Sequence, residues 1–497
     1  MANREILVSV DDFEKRVVIL EDSRLAEFYL QRSTQRQVAG NIYKGKVAQI
    51  VKGMEAAFVD LALEKNGFLY IEELLPETLL EGYETELPDE EREKKSGPRP
   101  SIEQLLHKGQ EVLVQVVKEP FGTKGCRLSS QISLPGRFLV LMPHSANIGI
   151  SKRITAEKER ARLRSLLREI GLPKDIGCII RTQAEGLEKK DMKRELHYLL
   201  QVWYTLKKRA AKTAAPSLVH EESDLIVRIA RDIFSQNFAH ILIDGKEEFK
   251  KIMAFFRALA PELRDRIKFY REKMPLFEKY DVEQQIENIF APQVQLKRGG
   301  YVVIERTEAL ISIDVNSGKF VDRGRLEDTA FLTNMEAAPE IARQIMLRDL
   351  AGIIVIDFID MQDTAHQRKV LQALSKSLEN DKARSTIYPF SPLGLVQIAR
   401  QRVRKTTESI MFEDCACCHG LGKLKSGETV AIAVLRKIRE ALRAHRRRQM
   451  QVSVHPGTAT RLFNEERQAI TNLERKFWVR ISIIADEHLG IEEIKIV

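Results

Sequence analysis

Apolar residues recur along this chain at two periods, and the changes from one to the other mark out its parts. Near the N-terminus, Ile6-Leu7-Val8, Arg16-Val17-Val18-Ile19-Leu20 and Ala26-Glu27-Phe28-Tyr29-Leu30 are short runs separated by polar turns, which predicts an antiparallel meander over 5–31. Three such strands cannot bury a core of their own, so the meander needs a partner from later in the chain. Residues 39–130 carry further short runs at regular spacing, among them Ile42-Tyr43-Lys44-Gly45-Lys46-Val47, Ala56-Ala57-Phe58-Val59 and Gly67-Phe68-Leu69. These predict a small barrel. The polar, charged, proline-flanked stretch 87–100 reads as a surface loop inserted in it.

From 131 the two periods alternate. A strand at 137–142, a charged helix at 156–169, a buried strand at 177–182 and a helix to about 212 come first. Next comes a helix from 223 with Ile226, Ile229, Ala230 and Ile233 on one face, then a strand at 240–243. A helix at 246–258 places Phe249, Ile252, Met253 and Phe256 at helical spacing. This α/β stretch suits the orphan meander as a complement, which would split the first domain in two. Residues 301–305 and 309–315 read as a strand pair turning at 306–308. A long helix over about 328–349 follows, kinked or restarted at Pro339. The run Gly352-Ile353-Ile354-Val355-Ile356-Asp357-Phe358 is apolar almost throughout, which predicts a central strand buried on both faces. A helix at 365–379, a Cys/Gly knot at 413–422 and a small α+β unit that opens with a basic helix complete the chain.

Bulk properties narrow the class. A chain of 497 residues calls for about three to five modules. No apolar run approaches the roughly 18 residues of a membrane span. The N-terminus enters a strand without a signal-peptide core, so a cytoplasmic location is expected. Five cysteines, three of them within 415–418, do not form a disulfide framework. A net charge of +9 permits a polyanionic partner without demanding one.

Five groups of residues could carry chemistry. Asp314 ends the run Leu310-Ile311-Ser312-Ile313, with Asn316 two positions on, and Asp357 ends the apolar run described above. Carboxylates at the ends of neighbouring strands would suit Mg²⁺, which takes one or two of them and keeps water for a substrate phosphate. Helix capping or pairing with arginine is the alternative role. Phe58 and Phe68, with Lys44, Lys46 and Lys124 nearby in sequence, suit the stacking and charge contacts of single-stranded nucleic acid, unless both rings belong to the barrel core. Cys415 and Cys418 have the spacing of two zinc ligands. A second chain could complete that site, His419 could be a third ligand, or the thiols could hold no metal. Arg181-Thr182, after a buried strand, pairs a guanidinium with a hydroxyl, as a phosphate clamp does. The basic helix end around Arg443–Arg448 could touch phosphates or simply face solvent.

The strings Asn41-Ile42-Tyr43-Lys44-Gly45, Ala56-Ala57-Phe58-Val59-Asp60, Ser312-Ile313-Asp314-Val315-Asn316-Ser317, Asn334-Met335-Glu336-Ala337 and Val355-Ile356-Asp357-Phe358-Ile359-Asp360-Met361 resemble the ribonuclease E/G family, in the same order along the chain. The resemblance implies a multidomain α/β and α+β architecture. A non-catalytic RNase H-like domain (1–38 and 221–285) would be split by an S1-type OB-fold barrel (39–127) and a 5′-phosphate sensor (128–220). A DNase I-like catalytic domain (286–410), a zinc-link (411–423) and a small dimerisation domain (424–497) would follow. The implied catalytic residues are Asp314, Asn316 and Asp357, with the two aspartates holding Mg²⁺. Phe58, Phe68 and Lys124 would grip RNA, and Arg181, Thr182 and Val140 would receive a 5′-monophosphate. Cys415 and Cys418 would share Zn²⁺ between two chains of a homodimer or homotetramer.

The implied activity is hydrolysis of single-stranded A/U-rich RNA, in ribosomal RNA precursors and messenger RNA, leaving 5′-phosphate and 3′-hydroxyl ends. The family usually has Cys-Pro-x-Cys where this chain has Cys-Ala-Cys-Cys, so Cys417 is an additional thiol at the zinc-link. A long Arg- and Pro-rich tail is absent after 497, which points to the G-type branch of the family. The rival class is a non-catalytic RNA-binding scaffold that uses the S1 domain for contact and the aspartates structurally.

Overall fold

The computed structural model describes residues 3–497 apart from 35–36, 75–82, 87–99, 121–123, 144, 174, 319–325, 380, 403–406, 414, 419 and 445–447. The loop expected at 87–100, His419 and most of the basic helix end therefore lie largely or wholly outside the described residues. The chain divides into two compact units, 1–407 and 408–497.

In the first unit the N-terminal meander finds its partner more than two hundred residues later. Arg4–Val10 pairs antiparallel with Glu14–Glu21 and parallel with Phe238–Ile243, giving a five-stranded sheet that runs from Arg24–Arg32 to Ile267–Phe269. Ile6, Val8, Val17 and Ile19 pack against Ile226, Ile229 and Phe256 of the helices Leu225–Ile233 and Lys246–Leu259. The helical spacing of those apolar residues is what lets each helix cover the sheet along one stripe.

Ile42–Val51, Ala56–Asp60, Gly67–Tyr70, Arg127–Ser129 and Glu111–Lys118 form a five-stranded barrel, closed by pairing of the first strand with the last named, consistent with an OB fold. Val47, Val59, Leu69, Val114 and Leu128 fill it. Gly45 is required where strands cross closely, because a Cβ there would stand 2.5 Å from Val59 Cγ1. Residues 134–180 supply most of the next sheet, backed by the helices Glu157–Ile170 and Lys189–Lys212.

The fourth sheet has the order Gln293–Gln295, Tyr301–Arg306, Leu310–Asn316, Gly352–Asp357, Leu395–Arg400, Ser385–Ile387. Its third and fourth strands are parallel. Ile311, Ile313, Ile354, Ile356, Val396 and Ile398 point to a core shared with the helices Leu326–Leu347 and Thr364–Leu378. One sequence expectation fails here. The strand Gly352–Asp357 is covered on one face only, and Ile353 is 56% exposed. Both helices lie on the same side of this mixed sheet, so an unbroken apolar string does not mean burial on both faces. Pro339 lies within one continuous helix, Leu326–Leu347, so of the two expected outcomes the restart does not occur. The loss of one backbone donor is outweighed by the wholly buried Ala337, Ala338, Ile341 and Ala342 that hold the helix to the sheet.

The second unit has a three-stranded sheet, with Gln449–Val454 between Arg480–Ala485 and Ile494–Ile496. Helices Gly427–Ala444, Pro456–Asn464 and Arg467–Phe477 supply the rest of its core through Val434, Ile438, Leu462 and Leu473. Among the described residues no helix is long and apolar enough to cross a membrane.

Candidate active site

Alternation along Leu310–Asn316 sends Ile311, Ile313 and Val315 into the core and leaves Ser312, Asp314 and Asn316 on the open face of the sheet. Parallel pairing with Gly352–Asp357 sets Asp314 directly beside Asp357 in register, and both are exposed. Asn316 Nδ2 donates to Asp314 Oδ2 at 2.7 Å, fixing that carboxylate. The Asp357 carboxyl is held above the usual carboxylate range, first by partial burial and then by the charges of Asp314 and Asp360. Three carboxylates thus crowd one end of two strands, with no described cation paired to Asp314, Asp357 or Asp360. A hard cation would relieve that repulsion. No group of three or more His, Cys, Asp or Glu side chains forms a cage among the described residues. An open two-carboxylate site fits Mg²⁺, which retains several waters.

The loop after Asp357 is pinned from the helix Leu326–Leu347. Asn334, fully buried, donates from Nδ2 to Ile359 O at 2.7 Å and accepts from Ile359 N–H at 3.1 Å. Glu327 accepts from the backbone N–H groups of Gln362 and Asp363. Asp360 borders a recess lined by Phe358, Met361, Gln367, Phe390 and Leu393. Sequence reading gave Asp360 and Asn334 no role. The signal for Asn334 was present: it is a polar residue on the buried stripe continued by Ala337, Ala338 and Ile341.

On the barrel, Phe58 and Phe68 face each other across adjacent strands with ring centroids 4.5 Å apart. Both are half-exposed, while their neighbours Ala57, Val59 and Leu69 are buried. The rings therefore lie outside the barrel core. Lys124 is exposed, and it precedes Gly125, where a Cβ would be 1.9 Å from Asn66 O. That close approach brings the lysine's chain segment against the turn leading to Phe68. Lys44 is committed elsewhere, to Glu111 Oε2 at 2.8 Å and Thr213 O at 3.0 Å.

Arg181 N–H donates to Phe138 O at 2.8 Å, and Val140 pairs with Ile179, so Val140 and Arg181 lie on adjoining strand positions. Thr182 Oγ1 lies 3.0 Å from Ser151 Oγ. Behind them the buried Glu195 accepts from the backbone N–H groups of Arg137 and Phe138, and burial pushes its carboxyl up to about 7.

In the second unit Cys415 and Cys417 are exposed and Cys418 is half-buried, all three as free thiols. Hydrogen bonds from the Cys418 backbone, then from Cys417, hold the Cys415 thiol below its ordinary value. Cys415 and Cys418, with Cys417 between them, offer soft donors of the kind a zinc ion takes.

A family model described as the ribonuclease E/G family matches residues 133–403, and one described as the RNase E/G thioredoxin-like domain matches 414–497. The chain is 37% identical to ribonuclease G of Haemophilus influenzae over 498 aligned residues, 99% of each protein. It is 37% identical to ribonuclease G of Escherichia coli K12 over 470 residues, 95% of this chain and 94% of the relative. With ribonuclease E of the same strain it shares 37% identity over 489 residues, 98% of this chain and 45% of that longer protein.

Proposed function

This chain belongs to the ribonuclease E/G family and is an endoribonuclease, and we propose that it cuts single-stranded A/U-rich RNA with Mg²⁺ at Asp314 and Asp357. The in-register pairing of those two aspartates on an open sheet face is the observation that carries the reading. Bound there, Mg²⁺ would activate a water and offset charge developing on the scissile phosphate. Asn316 keeps Asp314 oriented through its Nδ2 donor and has its remaining N–H and carbonyl oxygen for the phosphate or the attacking water. The new P–O bond forms to water while the bond to the 3′ oxygen breaks, leaving a 5′-phosphate and a 3′-hydroxyl.

Phe58 and Phe68 supply stacking surfaces and Lys124 a charge for the strand. Arg181, Thr182 and Val140 receive a 5′-monophosphate and raise the rate by ordering the complex. Cys415 and Cys418 hold a structural Zn²⁺ between two chains of a homodimer or homotetramer. The fitting substrates are ribosomal RNA precursors, including the 16S 5′ end, and messenger RNA, in the cytoplasm.

The test compares a labelled 5′-monophosphorylated A/U-rich oligonucleotide with its 5′-hydroxyl twin, with and without Mg²⁺. Internal cleavage that needs Mg²⁺ and runs faster on the phosphorylated strand is expected. Binding without cleavage would favour a scaffold and leave both aspartates structural.

A further inference from the structure

The Arg181 side chain is tied to the protein through a single nitrogen. Its Nη1 donates to Gly136 O and to Asp232 Oδ1, each at 2.6 Å. Its Nε and Nη2 have no partner among the described residues. That leaves open the edge of the guanidinium that presents two parallel donors to a phosphate.

Asp232 sits in the last turn of the helix Leu225–Ile233, where a negative charge opposes the helix dipole. Helix formation therefore does not account for it. Arg231 binds both of its oxygens, Nε to Oδ1 at 3.1 Å and Nη2 to Oδ2 at 3.3 Å, and itself pairs with Glu222 at 2.9 Å. The charges alternate from Glu222 through Arg231 and Asp232 to Arg181. Burial pushes the Asp232 carboxyl up, but Arg231 and Arg181 more than offset it, so it stays ionised below its ordinary range. Gln183 adds a side-chain donor to Asp232 O, so the helix end is joined to the Arg181 segment at two points.

We propose that Asp232 is a positioning residue for the phosphate pocket, pinning Nη1 so that the Nε–Nη2 edge of Arg181 faces a 5′-terminal phosphate. This rests on the assignment of Arg181 and Thr182 to that phosphate. A free arginine would lose rotamer freedom on binding, and one already held loses less. The pocket's selectivity would then depend on a carboxylate 51 residues from the arginine it serves, contributed by a helix of another sheet layer.

The readout is the ratio of kcat/KM on the 5′-monophosphate strand to that on its hydroxyl twin, a quantity that a general loss of folded protein does not move. Asp232→Ala should lower the ratio about tenfold, the size of one charge-assisted hydrogen bond, through KM on the phosphorylated strand. Asp232→Glu keeps the charge for Arg231 but displaces the contact by one methylene, and should also lower the ratio if the alanine variant fails to fold. Asp232→Asn keeps an oxygen for Nη1 and should restore most of it. Arg181→Ala separates the two claims. If it leaves the ratio intact, the phosphate assignment itself falls. If it erases the ratio while both Asp232→Ala and Asp232→Glu preserve it, the positioning role is overturned.

Discussion

Asn334→Ala removes the side chain that ties the loop after Asp357 to the helix behind it. Two hydrogen bonds disappear, leaving the Ile359 N–H and C=O without their partners. An unpaired buried polar group costs about 1–3 kcal/mol, and Ile359 is only half-buried, so the lower end applies to each and about 2–3 kcal/mol is expected in all. The loop that follows Asp357 and carries Asp360 is also freed, and a displacement of about 1 Å passed to the carboxylates would lower turnover by roughly a hundredfold. Asn334→Asp is the sharper comparison. It keeps shape and the acceptor for Ile359 N–H but sets a carboxylate against Ile359 O. Urea unfolding followed by circular dichroism gives the stability change, and initial rates on the phosphorylated oligonucleotide give the catalytic one. If Asn334→Ala lies within about 0.5 kcal/mol of wild type and cleaves at the wild-type rate, the loop is held by something else.

Phe58→Ala should weaken RNA binding by about tenfold to a hundredfold, as expected for one lost base stack, with little effect on the half-exposed barrel surface; anisotropy with a labelled strand checks it, and unchanged affinity removes the ring from the RNA path. Glu195 gives a pH signature, because its folded-state carboxyl is pushed up to about 7 from an ordinary 4.5. The folded chain then holds this proton more tightly than the unfolded chain, so its stabilisation is complete below about pH 4.5 and is lost as pH rises through 7, by roughly 3 kcal/mol at most. Urea midpoints of wild type and Glu195→Gln at pH 5 and 8 should show that loss in wild type alone. Purified protein should hold about half a zinc per chain, and Cys415→Ser should abolish both the metal and the oligomer; one zinc per chain in a monomer would mean a site closed within one chain.

Much of the sheet that carries Asp314 and Asp357 was legible because its signals are local. Ser312, Asp314 and Asn316 alternate with Ile311, Ile313 and Val315, so residue type alone separates the polar face of that strand from the apolar one. The run Gly352–Asp357 misled because Ile353 and Val355 are as apolar as the buried Ile354 and Ile356, and composition does not say which face a helix covers. The half-exposed Phe58 and Phe68 were ambiguous for the same reason, since aromatics occur on either side of a barrel wall. Lys44 looked available to RNA until a carbonyl 169 residues away, that of Thr213, and Glu111 were found on its ammonium. Asp232 was illegible in principle: its partner Arg181 is fixed by the packing of one sheet layer on a helix of another, and no spacing rule reaches that far.

The central claim is that Asp314 and Asp357 together form the cation site that drives cleavage, and Asp314→Asn tests it most directly. The substitution is isosteric at an exposed position and retains an acceptor for Asn316. Cleavage of the 5′-monophosphorylated oligonucleotide in Mg²⁺ should fall on the order of a thousandfold, about 4 kcal/mol in the barrier, while melting temperature and RNA affinity stay at wild-type values. An Asp314→Asn protein that cleaves at the wild-type rate would contradict the account and move the chemistry away from this pair of strands.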